Sequence, residues 1–355
     1  MFLWNRNNPV FPVVLFLLLS GCVSTTAGVL EVAPEPPQRV FFATDRNLNP
    51  EKKPGGRFGS GKGEIRYGVA TVSFPPDHSI GELESPILSD DHKEHILLTD
   101  VALNDYREYS GELSRHVDRT ADKSMLVYVH GFNISFEKAA RRMAQIVRDL
   151  EFNGCPVFYS WPSGGTVSRY SGDEVSVRWS QRNLKRFLGD VASTSGAQSI
   201  FLIAHSMGCR ALTGAFLDVI AEQPHLKPRF RALLLSAPDI DAEVFRRDMS
   251  GRLVQTGAHI VIYTSKRDRA LKLSKRMHGS ARLGDVDRIP VIIPGIETID
   301  ATNVDTSFLG QSYFNGSRSV LSDVYYIINK GLPAEERFSL EAVETTHGLY
   351  WKFKE

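Results

Sequence analysis

The sequence predicts an α/β fold: a doubly wound, mostly parallel sheet with extra strands at its N-terminal end. Three observations carry this. From about residue 124 onward, short apolar runs without polar alternation take turns with stretches of helical spacing. Strands without alternation are buried on both faces, as in a parallel sheet covered by helices on either side. Before residue 124, strand-like runs follow one another with no helix expected between them. Right-handed crossovers then restrict the topology.

The elements follow in order. RVFFATDR (39–46), YGVATVSFP (67–75) and HILLTDVAL (95–103) read as strands that extend the sheet's edge. NPEKKPGGRFGSGKGE (49–64) reads as a solvated hairpin loop. Its glycines invite comparison with a phosphate-binding loop, but it lacks the GxxxxGK[ST] spacing and no helix follows it. Strands are then expected at 125–132, 156–162, 199–206, 231–240, 259–265 and 291–301. Helices are expected at 135–152, 173–193, 208–223, 241–256, 269–277 and 317–331.

The 355 residues carry a net charge of +1, with 42% hydrophobic and 23% charged residues, which fits an ordinary globular chain. The balanced charge gives no reason to propose nucleic acid as a partner. The first 22 residues stand apart. MFLWNRNN precedes an apolar run, FPVVLFLLLS, too short to span a bilayer and of signal-peptide length. It ends in Leu19-Ser20-Gly21-Cys22, which resembles a bacterial lipobox. The expectation is a signal peptide over 1–21, acylation of Cys22 and a proline-rich tether over 22–38. A single domain follows over 39–355: N-terminal strands (39–120), a catalytic core (121–332) and a tail (333–355). Val23 after the cysteine points, by analogy with lipoprotein sorting, to the periplasmic face of the outer membrane. Cys155 and Cys209 read as small buried residues rather than a bridge.

The strongest chemical signal is SIFLIAHSMGCRALTGAF (199–216). A strand runs through Ala204-His205-Ser206-Met207-Gly208 directly into a helix, a nucleophile elbow. Small residues at −2 and +2 allow strand and helix to pass closely. The Met207 N–H then faces a developing oxyanion. VYVHGFN (127–133) follows an earlier strand, and the Phe132 N–H is expected to supply the second donor, with His130 as a buttress. Asp268, just beyond the strand HIVIYTS, is the expected acid; its structural alternative is a helix cap, and Asp239 is the rival acid. Trp161 and Tyr313 are the expected pocket aromatics, ahead of Tyr170 and Trp179, because each follows a strand's carboxyl end. No cofactor is implied. His92 and His95 have no third ligand in sight, so no metal is expected.

At this point the chain resembles a bacterial α/β-hydrolase family whose domain is of unknown function (domain of unknown function 900; esterase/lipase superfamily). The stretches that carry the resemblance are FFATDRN, YGVATVSFP, VYVHGFN, PVFYSWPS, IFLIAHSMGCRAL, SAPDIDAEVF, YTSKRDRALKLSKRMHG with RLGD, and IDATNVDTSFLGQSYF. It implies an α/β-hydrolase fold, a carboxylic-ester hydrolase, Ser206 as nucleophile and Asp268 as acid. The segment after the last strand in that family reads GHSY, and its histidine is the natural base. Here the match is Gly310-Gln311-Ser312-Tyr313. A glutamine amide cannot accept a proton at neutral pH. Among the other histidines, only His347 follows the last strand, so it is the substitute base to test. Two functions follow: an envelope-anchored serine hydrolase of small-molecule or lipid esters, or a catalytically impaired relative that binds a ligand or protein.

Overall fold

The computed structural model describes residues 36–85, 94–164, 166, 169–304 and 318–354. Cys22, His92, Gln311 and Tyr313 lie outside them, as do the leader and most of the tether. The described chain falls in one compact unit that begins at Pro34.

β1 (Gln38–Leu48), β2 (Phe58–Ser73) and β3 (Leu97–Asn104) come first, then α1 (Tyr106–Arg119). The alternating core follows: β4 (Ser124–Val129), α2 (Phe136–Asp149), β5 (Cys155–Ser160), α3 (Tyr170–Thr194), β6 (Ser199–His205), α4 (Gly208–Glu222) and β7 (Phe230–Ser236). Next are α5 (Ala242–Val244) and α6 (Ser250–Val254), joined by a π turn over Phe245–Met249, then β8 (His259–Thr264), α7 (Arg269–His278) and β9 (Glu297–Asp300). α8 (Arg318–Lys330) and the hairpin β10 (Leu340–Thr345) and β11 (Gly348–Phe353) complete it.

These strands form one 11-stranded sheet in the order β10-β11-β9-β8-β7-β6-β4-β5-β1-β2-β3. β1, β4 to β9 and β11 run parallel. β2 and β10 pair antiparallel with their neighbours. Side chains of a strand alternate between faces, and β4 shows the consequence. Met125, Val127 and Val129 pack with α1, α3 and α4, whereas Leu126 and Tyr128 pack with α2 and α8. Both faces are covered, which explains the unbroken apolar runs.

Four expectations change. β2 begins at Phe58, inside the stretch read as loop, because Arg46 pairs with Lys62 and Leu48 with Phe58 to extend the β1–β2 ladder. α1 was not expected. Asp105 caps it, accepting from the Glu108 N–H at 2.9 Å, but only the narrow stripe Tyr109, Leu113 and Val117 is buried. β9 is confined to four residues, since Pro294 and the left-handed Gly295 turn the preceding chain. The tail is no tail: β11 pairs with β9, Trp351 opposite Ile299, and carries β10 beyond it.

Candidate active site

The β6–α4 junction is built around a strained residue. Ser206 has φ = 50°, the left-handed region that non-glycine residues seldom occupy. Its neighbours fix it there. The Ser206 N–H donates to Ser236 O at 2.9 Å, and its carbonyl accepts from the N–H groups of Cys209 (3.1 Å) and Asp239 (3.2 Å). The serine is 7% exposed, while Met207 and Gly208 behind it are buried. Among the described residues the Met207 N–H has no acceptor, and no side chain bonds Ser206 Oγ. An amide with no partner, at the start of a helix and next to the hydroxyl, is suited to receive negative charge.

The loop after β4 closes on this turn. A Cβ on Gly131 would lie 2.5 Å from His205 Nδ1 and 3.1 Å from Ser206 Cβ. One on Gly208 would lie 2.2 Å from the His130 carbonyl oxygen. Only glycine at both positions lets the two loops approach this closely. His130 is fully buried. Its Nδ1–H donates to Gly131 O at 2.8 Å, so Nε2 carries the lone pair and takes the Ser160 hydroxyl at 3.2 Å. Burial, then the nearby Arg46 charge, holds this imidazole well below the usual histidine range. It is a neutral buttress, not a base.

Trp161 does not line a pocket. It is fully buried and stacks on the His130 ring at 5.0 Å and 15°, donating its Nε1–H to the His130 carbonyl at 2.7 Å. The ring turns inward because that carbonyl offers its indole N–H a buried partner. Tyr170, also buried, sets its ring edge-on to Phe132 at 5.3 Å. Trp179 is partly exposed under the Lys62 ammonium.

Asp239, the rival acid, is a structural hub. Its carboxylate accepts from the Tyr170 hydroxyl and from Ser274 Oγ (2.6 Å) and pairs with Arg210 (3.1 Å). Asp268 caps α7, accepting from the Leu271 N–H at 2.9 Å, and burial raises its carboxyl above the usual range. It stands four residues past the carboxyl end of β8, on the same edge of the sheet as Ser206. A cavity of about 260 Å³ opens beside the hub, between Val177, Arg210, Ile240, Met249 and Arg282.

None of the described histidines bonds the serine. His347 occupies the turn before β11, which runs parallel to β9. It therefore sits at the sheet's amino edge, a strand length of ~20 Å from the carboxyl edge, and cannot be the base. His205 flanks the serine, but burial, then the Arg142 charge, pushes it down to about 4. His278 is held by Ser274 O and Glu174, and His259 by Glu297. Both remaining cysteines are buried thiols. Among the described residues no cluster of His, Cys, Asp or Glu is placed to hold a metal, and no helix is long and apolar enough to cross a membrane.

A serine on a left-handed strand-to-helix turn, at the carboxyl edge of a parallel sheet with helices on both faces, defines the α/β-hydrolase fold. Residues 106–328 match the family described as alpha/beta hydrolase of unknown function (DUF900), and the chain belongs to that family. No curated protein matches it. Similar solved structures include a thermophilic esterase from Thermogutta terrifontis (12% identity, 76% of this chain and 90% of that one, TM-score 0.34). They also include carboxylesterase CesB from Bacillus subtilis (11%, 84% and 94%, TM-score 0.37) and the naproxen esterase of Bacillus subtilis (12%, 83% and 93%, TM-score 0.34). At these identities and scores they are likenesses only.

Proposed function

We propose that the protein is a serine hydrolase of carboxylic esters that forms an acyl-enzyme on Ser206, held at the bacterial envelope by a lipid on Cys22. The observation that carries the reading is the left-handed backbone of Ser206, with the unengaged Met207 amide beside it and the Gly131 loop packed against it. In the proposed reaction Oγ attacks the ester carbonyl, its proton leaves to a base, and the tetrahedral oxyanion is held by the amides of Met207 and Phe132. The alcohol departs, and water then releases the acid. Asp268 is the proposed acid, orienting whatever base stands opposite Ser206.

The base is the open element. Gln311 matches the family's histidine, and no described histidine bonds the serine. That pair of observations favours a second reading, a relative with impaired catalysis that binds an ester or acyl group without turning it over. Loss of the base costs on the order of 10⁶ in turnover, and an intact oxyanion hole leaves about 10³-fold over water.

A fluorophosphonate probe separates the two. Labelling of wild type that Ser206→Ala abolishes supports the hydrolase. Absence of labelling and of ester turnover, both restored by Gln311→His, supports the impaired relative. Absence in both forms rejects Ser206 as a nucleophile. Mass spectrometry of the mature protein tests the anchor: a diacylated N-terminal Cys22 is expected, and an unmodified one rejects it.

A further inference from the structure

Arg46 ends the apolar part of β1 and is 1% exposed, an unusual place for a guanidinium. Among the described residues no carboxylate touches it. Instead each of its five N–H donors meets an acceptor. Nε donates to Ser160 Oγ (2.8 Å), Nη1 to the carbonyls of Gly59 (3.0 Å) and Ser163 (3.3 Å), and Nη2 to the Ile134 carbonyl (2.6 Å) and, at 3.4 Å, to His130 Nε2. Burial pulls this guanidinium down to about 10, against the opposing charges of Asp45 and Asp173, so it stays charged at neutral pH.

Four of the five acceptors belong to two loops, the fifth being Gly59 on β2. His130 and Ile134 bracket the loop that contributes Phe132, and Ser160 and Ser163 bracket Trp161, which stacks on His130. Asp173 grips the second loop from outside, taking the Ser163 hydroxyl at 2.6 Å and the Gly164 N–H at 2.7 Å. One rigid fork thus joins the two loops beside the Ser206 turn. It comes from residue 46, ahead of the segment 106–328 that defines the family match.

We infer that Arg46 is a positioning residue for the oxyanion hole, and that the N-terminal strands complete the site by delivering it. It does not touch the reacting atoms. It sets the 130–134 loop at the height where the Phe132 amide meets the oxyanion. This rests on the reading of Ser206 as a nucleophile, but the placement of the loop can be tested without any turnover. A lysine in its place keeps the charge but has three donors and no fork, so it restores only part of the network.

The test uses the full chain with Arg46→Gln and Arg46→Lys. Hydrogen–deuterium exchange of peptides covering 130–135 is the first arm. Exchange should rise at least about 10-fold in Arg46→Gln and less in Arg46→Lys, with β6 and α4 at wild-type protection. The second arm is phosphonylation of Ser206 by a fluorophosphonate. The rate constant should fall by about 10²-fold in Arg46→Gln, with the half-saturating probe concentration within about twofold, since donor misplacement acts on the transition state. Wild-type protection of 130–135 in both variants overturns the inference. So does a loosened loop that still labels at the wild-type rate. If Arg46→Gln does not fold, Arg46→Lys decides both arms. A wild type that never labels, with or without Gln311→His, removes the nucleophile instead and leaves the exchange arm to decide whether Arg46 holds the loop.

Discussion

Replacing Gly208 by alanine tests how closely the elbow and the loop after β4 must approach. The added Cβ would lie 2.2 Å from the His130 carbonyl oxygen and 3.0 Å from both His130 C and Val129 O. The first distance is 1.2 Å inside the 3.4 Å at which ordinary contact begins. All three atoms are backbone at the end of a central strand, so no rotamer change relieves the overlap. Either the start of α4 retreats or the loop does, by roughly 1 Å, and the two proposed oxyanion donors separate by about that amount. A misplacement of that size costs about 10²-fold in rate. Overpacking costs a further 1–3 kcal/mol of stability, roughly. Fluorophosphonate labelling kinetics and urea unfolding measure the two effects. In whichever form labels, wild type or Gln311→His, Gly208→Ala should be slower by about 10²-fold while still folded at 25 °C. Labelling within threefold of the parent, roughly, would refute the claim that this contact sets the site, since it predicts a loss more than tenfold larger.

Three further outcomes concern stability. His78 lies between two carboxylates, Nδ1 against Glu84 at 2.9 Å and Nε2 against Asp149 at 2.8 Å, with its side chain 4% exposed. Burial alone would lower it, but the bonds to Asp149 and Glu84 prevail and raise it to about 9 from 6.5. A raised histidine stabilises fully below its unfolded value and loses the contribution as pH climbs through the folded one. Wild type should therefore lose roughly 3 kcal/mol more than His78→Gln between pH 6 and pH 9.5 in urea unfolding; parallel losses would refute a contribution from the His78 carboxylate pairs. Asp239→Asn removes the charge shared by Arg210, Tyr170 and Ser274 and should cost about 3–5 kcal/mol, read by denaturation at pH 7. Gly111→Ala, on the exposed face of α1 where an added Cβ meets nothing, should stabilise by about 0.5–1 kcal/mol.

The parts of the fold that could be read from the sequence are those fixed by neighbours along the chain. The elbow is one: an apolar strand, a small-x-Ser-x-Gly turn and a helix occupy consecutive residues, so Ser206 is legible from its own neighbours. Elements that depend on distant partners were not readable in this way. β2 reads as a glycine loop because its early residues have no apolar pattern, yet β1 supplies the ladder that makes them a strand. α1 buries one narrow stripe, too thin to stand out from the strands before it. Trp161 sits at a strand's carboxyl end whether its ring points to the cleft or into the core, and only the His130 carbonyl, 31 residues away in sequence, decides the matter. Arg46 carried a local signal, a charge at the end of an apolar run. Its meaning lay in side-chain and carbonyl acceptors 84 to 117 residues downstream at His130, Ile134, Ser160 and Ser163.

A histidine can serve Ser206 only from the carboxyl edge, and strand direction decides which edge a loop occupies. β11 runs parallel to β9, which removes His347 on direction alone. His130 and His205 are on the correct edge, but the first has its lone pair turned to Ser160 and both are held below the basicity a proton acceptor needs near neutrality. β9 ends at Asp300 beside the end of β8, so the chain leaves the sheet toward 305–317 from the edge where a base is required. Gln311→His puts an imidazole at the position proposed above to match the family's histidine. If that protein gains at least about 10²-fold in ester turnover, the scaffold has kept everything but the proton acceptor. If it gains nothing, the oxyanion loop or Asp268 must be out of place as well.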